Sequence, residues 1–359
     1  MSHATTPQVP TQPAIVWNDP TRAEQFSCWL SATAAQHGLQ MESLRLASAD
    51  ASFRRYFRID APDGSCIIMD APPDKENSAP FVKVAALMQA AGVHAPQVLA
   101  WDEPLGFMLL TDLGAQTMMQ VINRDDPGAN LPRYLQAVDA LITWQLSSQP
   151  DVLPPYDEAL LRRELALFPD WYISRHKGVV LDDAMRQTLD KSFDQIISQN
   201  LSWPSVFVHR DFMPRNLMVS GPDALGVLDF QDAVYGPITY DIASLMRDAF
   251  LSWDEDFCLD VTIRYWEKAR KAGLPVGDDF GEFYRSVEWM GLQRHLKVAG
   301  IFARLTLRDG KPQYLADTPR FITYIRTTCA RYRELKPLLR LVEKIEGIEE
   351  PAVFGFGRQ

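Results

Sequence analysis

The stretch Val206-Phe-Val-His-Arg-Asp-Phe-Met-Pro-Arg-Asn-Leu-Met-Val219 places a polar loop between two apolar segments. A turn and a third apolar segment, Gly226-Val-Leu-Asp-Phe230, follow it. Apolar runs separated by turn residues predict strand, loop, strand, turn and strand, with the third strand ending at Asp229. This arrangement is expected to bring the side chains of Asp211, Asn216 and Asp229 together.

These residue types suit phosphoryl transfer. That reaction needs a carboxylate beside the attacking hydroxyl and hard oxygen ligands for the magnesium ions that bridge the phosphates. Asp211 is therefore the candidate catalytic base, while Asn216 and Asp229 are candidate magnesium ligands. The alternative is a β-hairpin with ordinary polar turn residues.

The segments His209–Asn216, Leu228–Phe230 and Gly236–Asp241 together resemble the aminoglycoside phosphotransferase and choline kinase superfamily. Its members are small-molecule kinases with a protein-kinase-like fold, and the similarity covers residues 25–335. Four further segments are similar to one branch, the bacterial anomeric kinases for N-acetylmuramate and N-acetylglucosamine in cell-wall sugar recycling: Asp50–Arg58, Met69–Pro73, Thr111–Gly114 and Gly300–Leu305. The resemblance implies ATP and Mg²⁺ as cofactors and a sugar as acceptor.

The expected fold is α+β, with a small antiparallel-sheet N-lobe and a mostly helical C-lobe, as in protein kinases. Residues 1–20 are polar and proline-rich and are predicted to form a disordered leader. Residues 21–112 are predicted to form the N-lobe, with strands at Ser43–Ser48, Phe53–Ile59, Cys66–Asp70, Gln97–Trp101 and Phe107–Leu110 and helices from Thr21 and at Ala79–Ala91. Residues 113–359 are predicted to form the C-lobe with the catalytic loop and acceptor site, with helices at Tyr134–Ser147, Glu158–Arg175, Asp183–Gln199, Asp241–Phe250, Phe257–Ala272, Gly281–Ala303 and Thr318–Arg333.

The nucleotide site departs from the ordinary kinase pattern. Kinases place a lysine on the third strand to contact the phosphates, whereas this chain has Met69 near that position and no glycine in its phosphate-covering loop, Ser48–Phe53. Another cation should neutralise the nucleotide, and the candidates remain open. The predicted cofactor-binding residues are Ser52 in the loop, the cations Arg54, Arg55 and Lys83, and Thr111 and Leu113 in the hinge implied by the resemblance.

The acceptor site is expected among the C-lobe helices. The basic stretch Arg294-His-Leu-Lys297 suits an anionic acceptor such as a lactyl carboxylate, because arginine binds carboxylates in bidentate fashion. The predicted substrate-binding residues are Arg175, Asp232, Arg294 and His295. The alternative for each of the basic residues is ordinary helix-surface charge.

Two residues are assigned supporting roles. By resemblance, His209 packs within the catalytic loop. The resemblance also implies that Asp241 braces that loop through backbone contacts. The alternative is a cap for the helix that begins beside it, and the two roles are compatible.

Composition excludes several classes of function. The 359-residue chain carries 36 basic and 46 acidic residues, a net charge of −10, which argues against a nucleic-acid surface. No apolar run approaches the roughly 20 residues of a membrane helix, and the N-terminal residues lack the pattern of a signal peptide. A cytoplasmic location is expected, with a small-molecule sugar substrate and no obligate protein partner.

The sequence thus predicts an ATP-dependent sugar phosphotransferase acting on the anomeric hydroxyl of N-acetylmuramate or N-acetylglucosamine. Two alternatives stay open. One is another phosphotransferase of the same superfamily, acting on an aminoglycoside, choline-like or other alcohol. The other is a nucleotide-binding pseudokinase, which the missing lysine favours.

Overall fold

The computed structural model describes residues 15–49, 53–221 and 224–348. Ser52 and most of the predicted leader lie outside these residues. The chain divides into two compact units. Unit 1 comprises Met1–Ala115, Met218–Pro222 and Gly226–Gln231, and unit 2 comprises Gln116–Leu217, Asp223–Leu225 and Asp232–Gln359. Two segments next to the catalytic loop, Met218–Pro222 and Gly226–Gln231, therefore belong to unit 1. The predicted single boundary after residue 112 placed both in the helical lobe.

Unit 1 is built on a five-stranded antiparallel sheet with the order β1-β2-β3-β5-β4. Its strands are β1 (Gln40–Ala49), β2 (Arg55–Ala61), β3 (Gly64–Asp70), β4 (Val98–Asp102) and β5 (Phe107–Thr111). The β2–β3 register pairs Phe57 with Ile68, so that both side chains are buried on one face of the sheet. This face packs against helix α1 (Pro20–His37) through Phe26 and Leu30.

Local sequence signals set the limits of the two helices of unit 1. The side chain of Asp19 accepts a hydrogen bond from the backbone N–H of Thr21 (2.9 Å), which caps α1, and the helix ends at Gly38 with φ +67°. Helix α2 (Ala79–Ala91) likewise ends at a left-handed glycine, Gly92.

The expectation of a disordered leader does not hold for residues 15–20. Trp17 packs on Phe26, with ring centroids 4.9 Å apart, and Ile15 contacts the same core. Residue 20 is already the first residue of α1. Burial of apolar side chains orders this segment despite its proximity to the polar N-terminal sequence.

Unit 2 is mostly helical. Its α-helices are α3 (Met118–Val121), α4 (Leu131–Leu146), α5 (Glu158–Leu167), α6 (Asp183–Leu201), α7 (Thr239–Met246), α8 (Glu255–Lys271), α9 (Phe280–Leu307), α10 (Thr318–Arg331) and α11 (Lys336–Glu346). Helix α9, with 28 residues, packs against α5, α6, α7 and α10. Helix α11 is absent from the predicted set, although Leu338, Leu339, Leu341 and Val342 bury its apolar face.

The predicted helix Glu158–Arg175 changes type partway. After α5 ends at Leu167, the chain continues as a π-helix, Phe168–His176. At this junction Gly300 of α9 lies so close that a Cβ atom on it would be 2.3 Å from the carbonyl oxygen of Leu167. The absence of a side chain at Gly300 therefore permits the helices to approach.

The catalytic loop does not connect a simple hairpin. Strand β6 (Ser205–Val208) pairs in antiparallel fashion with β9 (Val234–Pro237), whereas β7 (Leu217–Val219) pairs with β8 (Leu225–Val227). The two strands that flank the loop thus belong to different sheets. Strand β9 is missing from the predicted elements, because its Val-Tyr-Gly-Pro sequence is too short to show a period.

Candidate active site

The catalytic loop in unit 2 is held by its own polar side chains. It leaves β6 at Val208 and closes in a 3₁₀ turn at Pro214–Asn216. The Asn216 Nδ2 atom donates to the backbone carbonyl of Asp211 (2.9 Å). Because this bond orients the amide nitrogen toward the loop, the Asn216 Oδ1 atom is the one that can serve as a cation ligand.

Asp241 braces the same loop from α7. Its Oδ2 accepts the backbone N–H of His209 (2.7 Å), and its Oδ1 accepts that of Arg210 (3.0 Å). Helix α7 begins at Thr239, so Asp241 lies inside the first turn and not at the N-cap. Burial raises the pKa of Asp241 to about 7, although both N–H bonds oppose this shift.

Arg210 adopts a left-handed backbone conformation, with φ +77°. Residues other than glycine rarely occupy this region, and surrounding contacts must hold them there. Here the N–H of Arg210 is bound by Asp241, and its carbonyl accepts a hydrogen bond from Arg294 Nη1 (2.7 Å). Both polar backbone groups of the residue that precedes Asp211 are thereby held.

The location of Arg294 corrects the predicted acceptor site. Its side chain is buried, with the guanidinium 4.9 Å from the ring centroid of Tyr240, and it supports the loop from behind. His295 is also buried. Its ring stacks on Tyr324 (4.6 Å between centroids), and its Nε2 lies 3.3 Å from the carbonyl oxygen of Arg247. Burial lowers the pKa of His295 to about 3, so this ring is neutral and is not an acceptor-facing cation.

The other predicted acceptor residues, Arg175 and Asp232, are exposed. Arg175 lies on the π-helix with its guanidinium 4.0 Å from the ring centroid of Trp171. The carbonyl of Asp232 accepts a bond from Arg210 Nη1 (3.4 Å). Neither position conflicts with an acceptor-binding role.

A buried ionic cluster that the sequence did not predict includes one residue of the catalytic loop, Arg210. It consists of Glu164, Tyr156, Arg210 and Lys297 and is called the Glu164 cluster below. Glu164 Oε1 lies 2.7 Å from Arg210 Nη2 and 2.8 Å from Lys297 Nζ, and Oε2 accepts the hydroxyl of Tyr156. Although burial opposes the charge, the two cations lower the pKa of Glu164. The sequence signal that could have indicated this cluster is the position of Glu164, which lies between Leu161 and Leu165 on the buried side of α5.

In unit 1, Asp229 follows β8 with a left-handed backbone, φ +64°. Aspartate is one of the few residues that tolerate this conformation. Its Oδ1 accepts a hydrogen bond from Gln231 Nε2 (2.9 Å), and the residue is exposed. The turn thus presents a carboxylate to solvent immediately beyond the strand, where a metal ligand is accessible.

The three candidate cations of unit 1 differ in their partners. Arg55 forms an ion pair with the buried Asp70 (2.6 Å) and stacks over Trp17 (3.9 Å). Asp70 also binds Arg22 (2.6 Å). This cluster gives the Arg55 guanidinium a partner within the fold of unit 1, and its assignment to the nucleotide stays a prediction. The remaining candidates are Arg54, which is buried beside Glu76 (3.2 Å), and the exposed Lys83 on α2.

The predicted hinge residues are tied to neighbouring backbone. Thr111 Oγ1 accepts the backbone N–H of Gln97 (2.9 Å), and the carbonyl of Leu113 accepts the hydroxyl of Ser220 (2.7 Å). Between them, Asp112 is bound by Arg58 (2.5 Å), and hydrogen bonds from its neighbours outweigh burial and lower its pKa. These bonds tie the predicted hinge segment to neighbouring residues of unit 1.

Among the residues that the structure describes, no group of three or more His, Cys, Asp or Glu side chains is arranged to hold a metal ion. Magnesium shared with nucleotide phosphates needs only one or two protein ligands, so a larger cluster of protein ligands is not required. None of the described helices combines the length and apolar character needed to cross a bilayer.

Sequence comparison gives two kinds of match. Residues 43–279 match the family described as "Phosphotransferase enzyme family". The chain is 49% identical over 335 residues to an N-acetylmuramate/N-acetylglucosamine kinase of Pseudomonas aeruginosa, covering 91% of this chain and 98% of the relative. It is 50% identical over 309 residues to the protein of the same name from Neisseria meningitidis serogroup B, covering 86% and 92%.

Structural comparison agrees on the fold. A choline/ethanolamine kinase family protein from Mesorhizobium loti superimposes with a TM-score of 0.61 at 15% identity, covering 90% of this chain and 99% of that one. The predicted α+β protein-kinase-like class, with an antiparallel sheet in unit 1 and a mostly helical unit 2, is confirmed.

Proposed function

Because the chain belongs to the phosphotransferase enzyme family, we propose that it is an ATP- and Mg²⁺-dependent kinase of N-acetylmuramate and N-acetylglucosamine. The observation that carries the proposal is the identity of 49% over 91% of the chain to a kinase named for both sugars. The catalytic-loop pattern is present in full in the same chain. The anomeric hydroxyl is the proposed acceptor, and the cytoplasm, where ATP is available, is the proposed location.

Asp211 is the proposed base. The anomeric oxygen forms a bond to the γ-phosphorus, the bond from that phosphorus to the β,γ-bridging oxygen breaks, and Asp211 accepts the hydroxyl proton. Hydrogen bonds to the preceding residue hold Asp211 in place: Asp241 binds the N–H of Arg210, and Arg294 binds its carbonyl. Fixing the base in this way lowers the entropy cost of reaching the transition state.

Asn216 and Asp229 are the proposed magnesium ligands. An amide oxygen and a carboxylate are the hard oxygen donors that Mg²⁺ prefers. When bound, Mg²⁺–ATP supplies the phosphoryl group and the charge that stabilises its transfer. Arg54 or Lys83 would add a positive charge at the nucleotide, since the third strand carries Met69 and Arg55 is bound to Asp70.

The test is an assay of the purified chain with ATP, Mg²⁺ and a panel comprising N-acetylmuramate, N-acetylglucosamine, kanamycin and choline. Phosphorus and carbon NMR should locate the new phosphate on the anomeric carbon of both sugars. The methyl glycoside of N-acetylglucosamine is the matched control, because its anomeric oxygen is blocked. Phosphorylation of that glycoside would contradict the anomeric assignment. Transfer only to kanamycin or choline would favour another phosphotransferase, and no transfer at all would favour a pseudokinase.

A further inference from the structure

Lys297 occupies an unusual place for a lysine. It lies on α9 one turn after Arg294, and its side chain is only 12% exposed. Arg294 donates to the carbonyl of Arg210, and Lys297 shares Glu164 with the Arg210 guanidinium. Two α9 side chains thus support the residue that precedes Asp211. Although burial opposes the charge of Lys297, its interactions with Tyr240, Glu164 and Asp211 raise its pKa.

The hydrogen bonds of Lys297 leave room for one more partner. An ammonium group has three donors. Within the described part of the chain, Nζ contacts Glu164 Oε1 at 2.8 Å and the Tyr240 hydroxyl at 3.4 Å. A buried or half-buried donor without a partner is costly. The remaining N–H therefore suits an oxygen that arrives with a ligand.

The local charges indicate what kind of oxygen this is. The charged groups that act on Lys297 are the carboxylates of Glu164 and Asp211 and the guanidinium of Arg210, which shares Glu164 with it. With Lys297 itself, two cations stand against two carboxylates, so the immediate surroundings of Nζ have no surplus of positive charge to draw an anion. A neutral sugar oxygen fits this balance better than a carboxylate does.

We propose that Lys297 is an acceptor-binding residue that donates a hydrogen bond to a neutral oxygen present in both sugars, either a ring hydroxyl or the acetamido carbonyl. Glu164 is then the positioning residue that holds Lys297 beside the loop. This inference rests on the proposed function. It differs from the predicted contact between Arg294 and a lactyl carboxylate, because it assigns acceptor binding to Lys297 and to a neutral oxygen.

The test compares Lys297→Met with Lys268→Met, which removes a surface ion pair to Asp139 on another helix. Lys297→Met should raise the KM for N-acetylmuramate and for N-acetylglucosamine by about tenfold or more, since a charged hydrogen bond is lost. The KM for ATP should stay within about twofold, and Lys268→Met should change none of these values. Lys297→Arg keeps the charge beside Glu164, so a folded enzyme with a raised acceptor KM is expected even if Lys297→Met is unstable.

The outcomes separate the two proposals. If both Lys297 variants keep acceptor KM values within about twofold of the wild type, Lys297 does not bind the acceptor. Equal increases in the KM for ATP and for sugar, together with a lower Tm, would make Lys297 a structural residue and overturn the inference. A large loss for N-acetylmuramate alone would show a carboxylate partner instead of a neutral oxygen. A wild-type enzyme that phosphorylates neither sugar would reject the proposed function itself.

Discussion

Asp241 Oδ2 lies 2.7 Å from the backbone nitrogen of His209, at the point where β6 gives way to the catalytic loop. The other carboxylate oxygen binds the next backbone N–H, that of Arg210. One buried side chain therefore satisfies two successive loop amides, and both would otherwise be unpaired in the protein interior. This relationship holds the left-handed Arg210 and, with it, the position of Asp211.

Asp211→Asn should reduce kcat by about 10²–10⁴-fold, because asparagine cannot accept the hydroxyl proton. The affinity for ATP should change little, since the substituted side chain keeps its size. Steady-state kinetics and calorimetric titration with ATP measure the two effects. Asp260→Asn, on a carboxylate paired with Arg264 on α8, is the control. A variant with more than half of the wild-type kcat would remove Asp211 from the base role.

Asp229→Asn should weaken the Mg²⁺-dependent part of ATP binding. Asparagine tolerates the left-handed conformation that Asp229 adopts, so loss of charge is separated from backbone strain. Calorimetry with and without Mg²⁺ gives the difference in Kd. Asp63→Asn, in the exposed β2–β3 turn, should behave as wild type. An unchanged difference in the Asp229 variant would show that this carboxylate is not a metal ligand.

Asp241 should make stability fall as pH rises toward neutrality. Its pKa is about 7 in the folded protein and near its ordinary value of 3.8 after unfolding. Between these values the folded state binds more protons, so the free energy of unfolding decreases with pH. The stability advantage of the wild type over Asp241→Asn should therefore be larger at pH 5 than at pH 7, by up to about 1.4 kcal/mol per pH unit. Urea unfolding at both pH values measures it, and an advantage independent of pH would contradict the assignment.

Gly300→Ala should destabilise the protein by about 1–3 kcal/mol, because the new methyl group meets the backbone of Leu167 and overpacks the junction. Gly291→Ala is a control on the same helix, since its nearest neighbour is a side-chain atom, Cγ of Arg247 at 3.3 Å, and not backbone. That change should therefore cost less stability than Gly300→Ala. Thermal unfolding compares them, and equal Tm values for the two variants would show that the close approach is not required.

Arg55→Ala should lower the stability of the protein by about 1.5–3 kcal/mol, the contribution of a hydrogen bond to a charged group. Asp70 would keep only Arg22 as an ionic partner among the described residues. Arg45→Ala removes the more exposed pair with Asp60 and should cost less than about 1 kcal/mol. Urea unfolding gives both values. A raised KM for ATP with unchanged stability in Arg55→Ala would instead return Arg55 to the nucleotide site.

Much of the architecture follows from local sequence. Apolar runs bounded by turn residues predict the five strands of unit 1, and helical spacing predicts most helices of unit 2, because both periods record which side of an element is buried. Helix α11 and strand β9 were not predicted in this way. The first lies beyond the last predicted helix, and the second is too short to show a pattern.

By itself, the sequence determined the kind of chemistry and the loop that carries it. The pattern His209-x-Asp211 with Asn216 and Asp229 contains the carboxylate proposed as the base and the oxygen atoms proposed as magnesium ligands. Only the tertiary structure decided what each charge does. Arg55 and Arg294 are long cations in suggestive positions, yet one is bound to Asp70 and the other to the carbonyl of Arg210. The role of a charged side chain depends on the partner that it contacts in the folded protein. Those partners are distant in sequence, so the sequence alone does not identify them.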